Sequence, residues 1–126
     1  MALPVNARIQ AAQAFVRNVR SAQEFFVLQD STNADERYTA LLARLKEARE
    51  HLHWNPAAGR PARFLQAQSA QGQASAARAI ALATARGASQ LRELVVKPYV
   101  LLYAHGSDRV VLLALKHERE LAFRLE

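Results

Sequence analysis

Leu91 to Glu120 reads LRELVVKPYVLLYAHGSDRVVLLALKHERE, and it decides the fold because it divides into three short runs with strand character. The first, Leu91 to Lys97, is parted from the second, Tyr99 to Tyr103, by Pro98, which has no backbone donor and belongs between ladders or at an edge. The turn signal Gly106-Ser107-Asp108 leads into the third run, Val110 to Lys116. Segments such as VLLY and VVLLAL lack polar alternation, so both faces of this sheet should be covered. The cover has to come from earlier in the chain.

Two helical patterns supply part of it. Ile9, Ala12, Phe15, Val16, Val19 and Phe26 recur at helical spacing, predicting a helix from about Asn6, its cap, to Leu28. The link Asp30-Ser31-Thr32-Asn33 is rich in capping residues, and Asn33 with Glu36 resembles a capping box. The next helix carries Tyr38, Leu41, Leu42, Leu45 and Leu52 on one stripe, with Arg44, Lys46, Glu47, Arg49 and Glu50 mostly on the wet side. Asn55-Pro56 and Gly59 stop it. So short a link predicts an antiparallel hairpin lying on one face of the sheet. Trp54, beside His51 and His53, reads as a packing anchor for that hairpin, and the two histidines, two positions apart, do not share a helix face for a metal.

Between hairpin and strands lies an Ala/Gln-rich segment, residues 66–90, with a helix-compatible core from Ser75 to Arg86 closed by Gly87. It reads as an inserted helix on the sheet or over its edge, with a disordered linker as the alternative. The fold class is therefore α+β: an N-terminal antiparallel helical hairpin on a small, mainly antiparallel sheet, with an inserted helix before the last strands. At 126 residues, 51% of them hydrophobic, a single domain over 1–126 is expected.

The chain has no cysteine, which excludes disulfides and thiolate chemistry and points to a reducing compartment. No apolar run is long enough to cross a bilayer, and Met1 to Asn6 lacks signal-peptide character, so a cytoplasmic protein with no membrane partner is expected. The net charge of +6 concentrates in the middle: between Ala57 and Lys97 six bases stand against the single acid Glu93. A basic middle suggests an acidic partner, either nucleic acid or protein. There is no P-loop, dinucleotide fingerprint, nucleophile elbow or zinc motif, and no cofactor is expected.

Taken in order, two helices, the motif NPAAGRPARFL (Asn55 to Leu65), the "R-E-L-V" run at Arg92 to Val95, the "Y-x-x-x-Y" run at Tyr99 to Tyr103 and a His/Arg ending at His117 and Arg119 resemble the RelE/ParE superfamily of toxins from type II toxin-antitoxin systems, also called plasmid stabilisation proteins. The resemblance covers about Ile9 to Glu120 apart from the insert. Three departures stand out. The family's opening strand has only Ala2 to Val5 to form it, interrupted by Pro4, so that edge should be short or missing. The insert replaces a short join. The arginine that ribosome-dependent nucleases of the family carry within the second strand is replaced by Val100-Leu101-Leu102.

The resemblance implies growth inhibition, a cognate antitoxin and one of two targets. A ParE-like poison would bind DNA gyrase through Arg60, Arg63, Arg92, Lys97 and Arg119. A RelE-like nuclease would cut mRNA on the ribosome and needs an acid, a base and cations around the phosphate. Its candidates are His117, Arg119 and Arg92, with Arg60 as a further phosphate partner and Glu93 or Glu118 as bases. The apolar second strand favours the ParE branch. A non-toxic interaction module on the same fold is the third reading. Substitution of Arg92 or Arg119 should abolish toxicity under either toxin reading, whereas His117→Ala separates them.

Overall fold

The computed structural model describes residues 6–125, with the side chains of Leu65 and Gln66 left aside. Among the described residues the order is β1 (Arg8–Ala11), α1 (Gln13–Gln29), α2 (Ala34–Trp54), β2 (Arg60–Pro61), a 3₁₀ turn (Arg63–Gln66), α3 (Ala70–Ala85), β3 (Gln90–Val96), β4 (Tyr99–His105) and β5 (Arg109–His117). One five-stranded sheet runs β1-β5-β4-β3-β2, with β1 parallel to β5 and the other pairs antiparallel. This is the expected α+β architecture, and the three C-terminal strands are its spine.

The unbroken apolar runs of β4 and β5 are explained by two cores, one on each face. Leu101, Tyr103, Leu112 and Leu115 pack against Phe15 and Phe26 of α1 and Leu41 and Leu52 of α2. On the reverse face Leu102, Ala104, Val111 and Leu113 pack against Ala79 and Ala83 of α3, with Leu125 closing the cluster. The alanines of α3, which look unpromising as a stripe, are what lets the helix approach the sheet closely. A bulge sharpens the pattern on β5. Leu102 pairs with Ala114 and Tyr103 with Leu112, so Leu113 is an extra residue, and it faces the α3 side together with Ala114.

The insert is thus an ordered helix, longer than the Ser75–Arg86 core. Ser69 caps its start by accepting from Gly72 N at 3.0 Å. At its end Gly87 adopts φ 76°, and Ala88 N returns to Ala83 O. Arg109 on β5 donates to Arg86 O at 3.2 Å, placing a cation on the carbonyl end of the helix.

Four expectations need correction. The opening strand is present, at Arg8–Ala11, where the helical spacing suggested the first turns of α1; Ala2 to Val5 lie outside the described residues. Ile9 satisfies both readings because it fits a helical stripe and also sits mid-strand. The parallel partner decides it: Arg8 N donates to Asp108 O and Ala12 N to Leu112 O, both at 2.9 Å. This strand is also tied to α2, since Ala7 N donates to His53 O at 2.9 Å and His53 Nδ1 lies 2.7 Å from Ala7 O. A carbonyl only accepts, so Nδ1 is the donor.

The capping box does not form. Asn33 precedes α2 but makes no side-chain cap; its amide donates to Asp30 Oδ2 at 2.8 Å and closes the link on itself. Trp54 is half exposed and does not anchor the hairpin, a role held by the fully buried Leu52. Finally, β5 runs one residue beyond the expected Lys116, to His117, and stops there. Glu118 N bonds to Pro98 O and Glu120 N to His117 O, so Arg119 sits in a turn.

Candidate functional site

The segment Pro56 to Arg60 and its neighbours on β3 and β4 form one bonded unit. Tyr103, the largest fully buried side chain, donates its hydroxyl to Pro56 O at 2.6 Å and accepts from Gly59 N at 2.9 Å. Burial raises the Tyr103 hydroxyl pKa above its ordinary value and keeps the donor in place. Arg92 Nη1 donates to Gly59 O at 3.0 Å, and its Nε donates to His105 Nε2, also at 3.0 Å. Glu93, only 5% exposed, accepts from Arg60 Nε and from Arg63 N, each at 3.3 Å. The residues that carry the sequence motif therefore hold one another.

His105 ends β4 and accepts from Arg92. Burial first, and then the Arg92 charge, lowers its pKa from 6.5, partly offset by a backbone bond to Gly106. A depressed folded value means the unfolded chain binds the extra proton first. The contribution to stability is complete above 6.5 and is lost as pH falls through the folded value. His105→Gln keeps an acceptor for Arg92 without titrating. Urea melts between about pH 7.5 and 5 should show wild type losing more stability on acidification than the variant.

The sequence-derived site residues fall into two groups. Arg60, Arg63 and Arg92 belong to the β2–β3 edge. Lys97, His117 and Arg119 lie at the opposite end of the strands, where Tyr99 pairs with both Val96 and His117. Arg92 pairs with Tyr103, four positions along β4 from Tyr99, which puts it about 13 Å along the sheet and two strands across from His117. His117 and Arg92 therefore do not meet at one phosphate. Arg60 is occupied by Glu93, whereas the Arg63, Lys97 and Arg119 side chains are exposed.

His117 has a setting of its own. Its Nδ1 accepts from Arg119 N at 3.1 Å, and its ring stands edge-on to Tyr99 with centroids 5.5 Å apart. Burial raises the Tyr99 pKa. A cleft of about 710 Å³ opens beside them, between the end of α1 and the end of β5, and Arg37, Lys116, Arg119 and Arg124 contribute cations to it beside Glu118 and Glu120. Of these, the sequence reading singled out His117, Arg119 and Glu118. Arg37 lies over the Phe26 ring at 4.4 Å and donates to Gln29, a contact across the hairpin link that no local spacing announces. Among the described residues no three His, Asp or Glu side chains gather as a metal site.

A helical hairpin and an inserted helix on opposite faces of a mainly antiparallel sheet, with the Gly59–Arg60 turn locked to a Tyr on the middle strand, define the protein's class as a RelE/ParE-like α+β domain. A family model described as the ParE toxin of type II toxin-antitoxin system, parDE, matches residues 9–122. The chain belongs to this family and is a toxin of the type II class, to which an antitoxin partner is implied. No curated protein matches it. Among the described residues no helix is long and apolar enough to cross a membrane.

Proposed function

We propose that the chain arrests growth by binding a cellular target, DNA gyrase, in the cytoplasm, without catalysis of its own, and that a cognate antitoxin restrains it there. One observation carries this reading: the residues an RNA-cleaving centre needs do not converge. His117 and Arg119 lie at one end of the sheet and Arg60 and Arg92 toward the other, with both of these arginines already engaged by protein acceptors. A docking surface has no such requirement. Exposed cations at Arg63, Lys97 and Arg119 can each meet a carboxylate on a partner without sharing an atom.

The cleft beside His117 favours a second reading, a ribosome-dependent nuclease in which His117 moves a proton and Arg119 and its cationic neighbours hold the phosphate. The two readings part on a single substitution. His117→Ala is expected to leave toxicity, scored as colony survival after induction, within about threefold of wild type, because one rim side chain adds little to a protein interface. A loss of about 100-fold or more, as for a missing general acid, establishes the nuclease instead.

A further inference from the structure

The two faces of the molecule differ in charge. The hairpin helices mix both signs, whereas residues 51–92, which supply α3 and its flanks, contain no acidic residue. At one corner of the α3 face the cations crowd. Parallel pairing sets Arg8 of β1 directly beside Arg109 of β5. Ile9 and Val110 pack toward the hairpin and Ala12 and Val111 toward α3, so the alternation turns both arginines to the α3 side. Like charges opposed on adjacent strands cost stability. Arg109 is relieved in part, because its Nε donates to Asp108 at 3.1 Å and its Nη1 to Arg86 O at 3.2 Å. The second of these bonds brings a third arginine to the same corner. Among the described residues, Arg8 and Arg86 are exposed and make no ion pair. Arg78, also exposed, stands eight positions back on α3, about 12 Å along its axis.

We propose that this face contacts the phosphate backbone of duplex DNA, with Arg8, Arg86 and Arg109 holding phosphates at the corner and Arg78 meeting the backbone farther along α3. The contact is additional to the docking of a protein target and does not depend on which target that is. An uncompensated cluster of arginines is what a polyanion neutralises, and the surface between the cations says which kind. The outer side of α3 presents Ala70, Ala74, Ala77 and Ala81, with Gln73 and Thr84 beside them. Small side chains let a sugar-phosphate backbone approach the helix closely, and amide and hydroxyl groups donate to phosphate oxygens. A protein interface instead centres on large anchors seated in pockets. Ile80 is the one large apolar side chain that α3 exposes. Phosphate contacts carry no sequence information, so duplexes of any sequence should bind alike.

The test is fluorescence anisotropy of a short labelled duplex with the purified full chain, from about 50 to 200 mM salt. Four phosphate contacts predict that log affinity falls against log salt with a slope of about −3 to −4. Arg8→Gln with Arg86→Gln should weaken binding about tenfold or more and make the slope shallower by about two units. Arg109 is left in place because it ties β5 to the end of α3. Lys46→Gln with Arg49→Gln removes the same charge from exposed positions on α2 and should leave the slope within about half a unit of wild type. Thermal melts confirm that each variant folds.

Equal losses in the two double variants would show attraction to net charge alone and overturn the proposal, as would wild-type binding that ignores salt. Competition by polyglutamate as strong as by unlabelled duplex would assign the face to an acidic protein and overturn it too. If the Arg8, Arg86 double variant fails to fold, Arg78→Gln decides, with an expected loss of about one unit of slope. Gyrase is absent from every arm, so failure here leaves the target reading standing.

Discussion

Gly59→Ala is expected to destabilise the protein by about 3 kcal/mol, toward the upper end of what overpacking costs, and to lower the melting temperature by roughly 10 °C. A Cβ at this position would stand 2.4 Å from Glu93 O and 2.9 Å from Tyr103 Cε1. The first contact is with backbone, so no side chain can swing away to relieve it. The turn would have to leave β3, and with it would go the Gly59 N bond to Tyr103 and the Gly59 O bond to Arg92. Differential scanning calorimetry checks the prediction, and a melting point within about 2 °C of wild type would show that the turn is not clamped as described.

Tyr103→Phe is the companion case. The ring stays in the core, but Pro56 O loses its donor and Gly59 N its acceptor at a place where water has little access. Leaving buried polar groups unpaired costs more than the bonds were worth, so about 2 kcal/mol is expected, read from urea midpoints. Both substitutions act on the same turn, and their effects should not add. The double variant should fall short of the sum by about 1 kcal/mol or more, because a turn already forced off β3 has lost the bonds that Phe would remove.

These two cases bear on how toxicity data are read. Pro56, Gly59, Arg60, Arg92, Glu93 and Tyr103 carry much of the sequence resemblance, and they are bonded mainly to each other. Loss of toxicity on changing Arg92 is therefore ambiguous between a broken turn and a lost contact with the target. Exposed Arg63, Lys97 and Arg119 give the cleaner probes.

Much of this fold was legible in the residues. The apolar runs of β4 and β5 announced a sheet covered on both faces, and the stripes around Phe15 and Leu41 announced the hairpin. What stayed hidden depended on distant partners. The strand Arg8–Ala11 is made by parallel pairing with Arg109–Leu112 about a hundred positions away, and within four residues the helical and extended patterns of Ile9 cannot be told apart. The clamps on Gly59 come from β3 and β4, so a Pro-x-x-Gly-Arg turn shows where a helix stops and not what holds it. The basic middle of the sequence looked like one surface, yet the sheet register sends Arg92 and Lys97 toward opposite ends of β3. Lys46 and Arg49 read as ordinary wet-face residues; only the packing of α1 against α2 shows them rimming an apolar trough.

On the proposed reading this ParE-family toxin acts by binding gyrase and not by cutting message. The most direct test of that reading is induction of the chain alone in bacterial cells, with labelled thymidine and labelled amino acid followed over the first minutes. DNA synthesis is expected to fall first while protein synthesis continues. Protein synthesis falling first would contradict it and restore His117 and its cleft as a nuclease centre, and growth with neither affected would remove the toxic activity altogether.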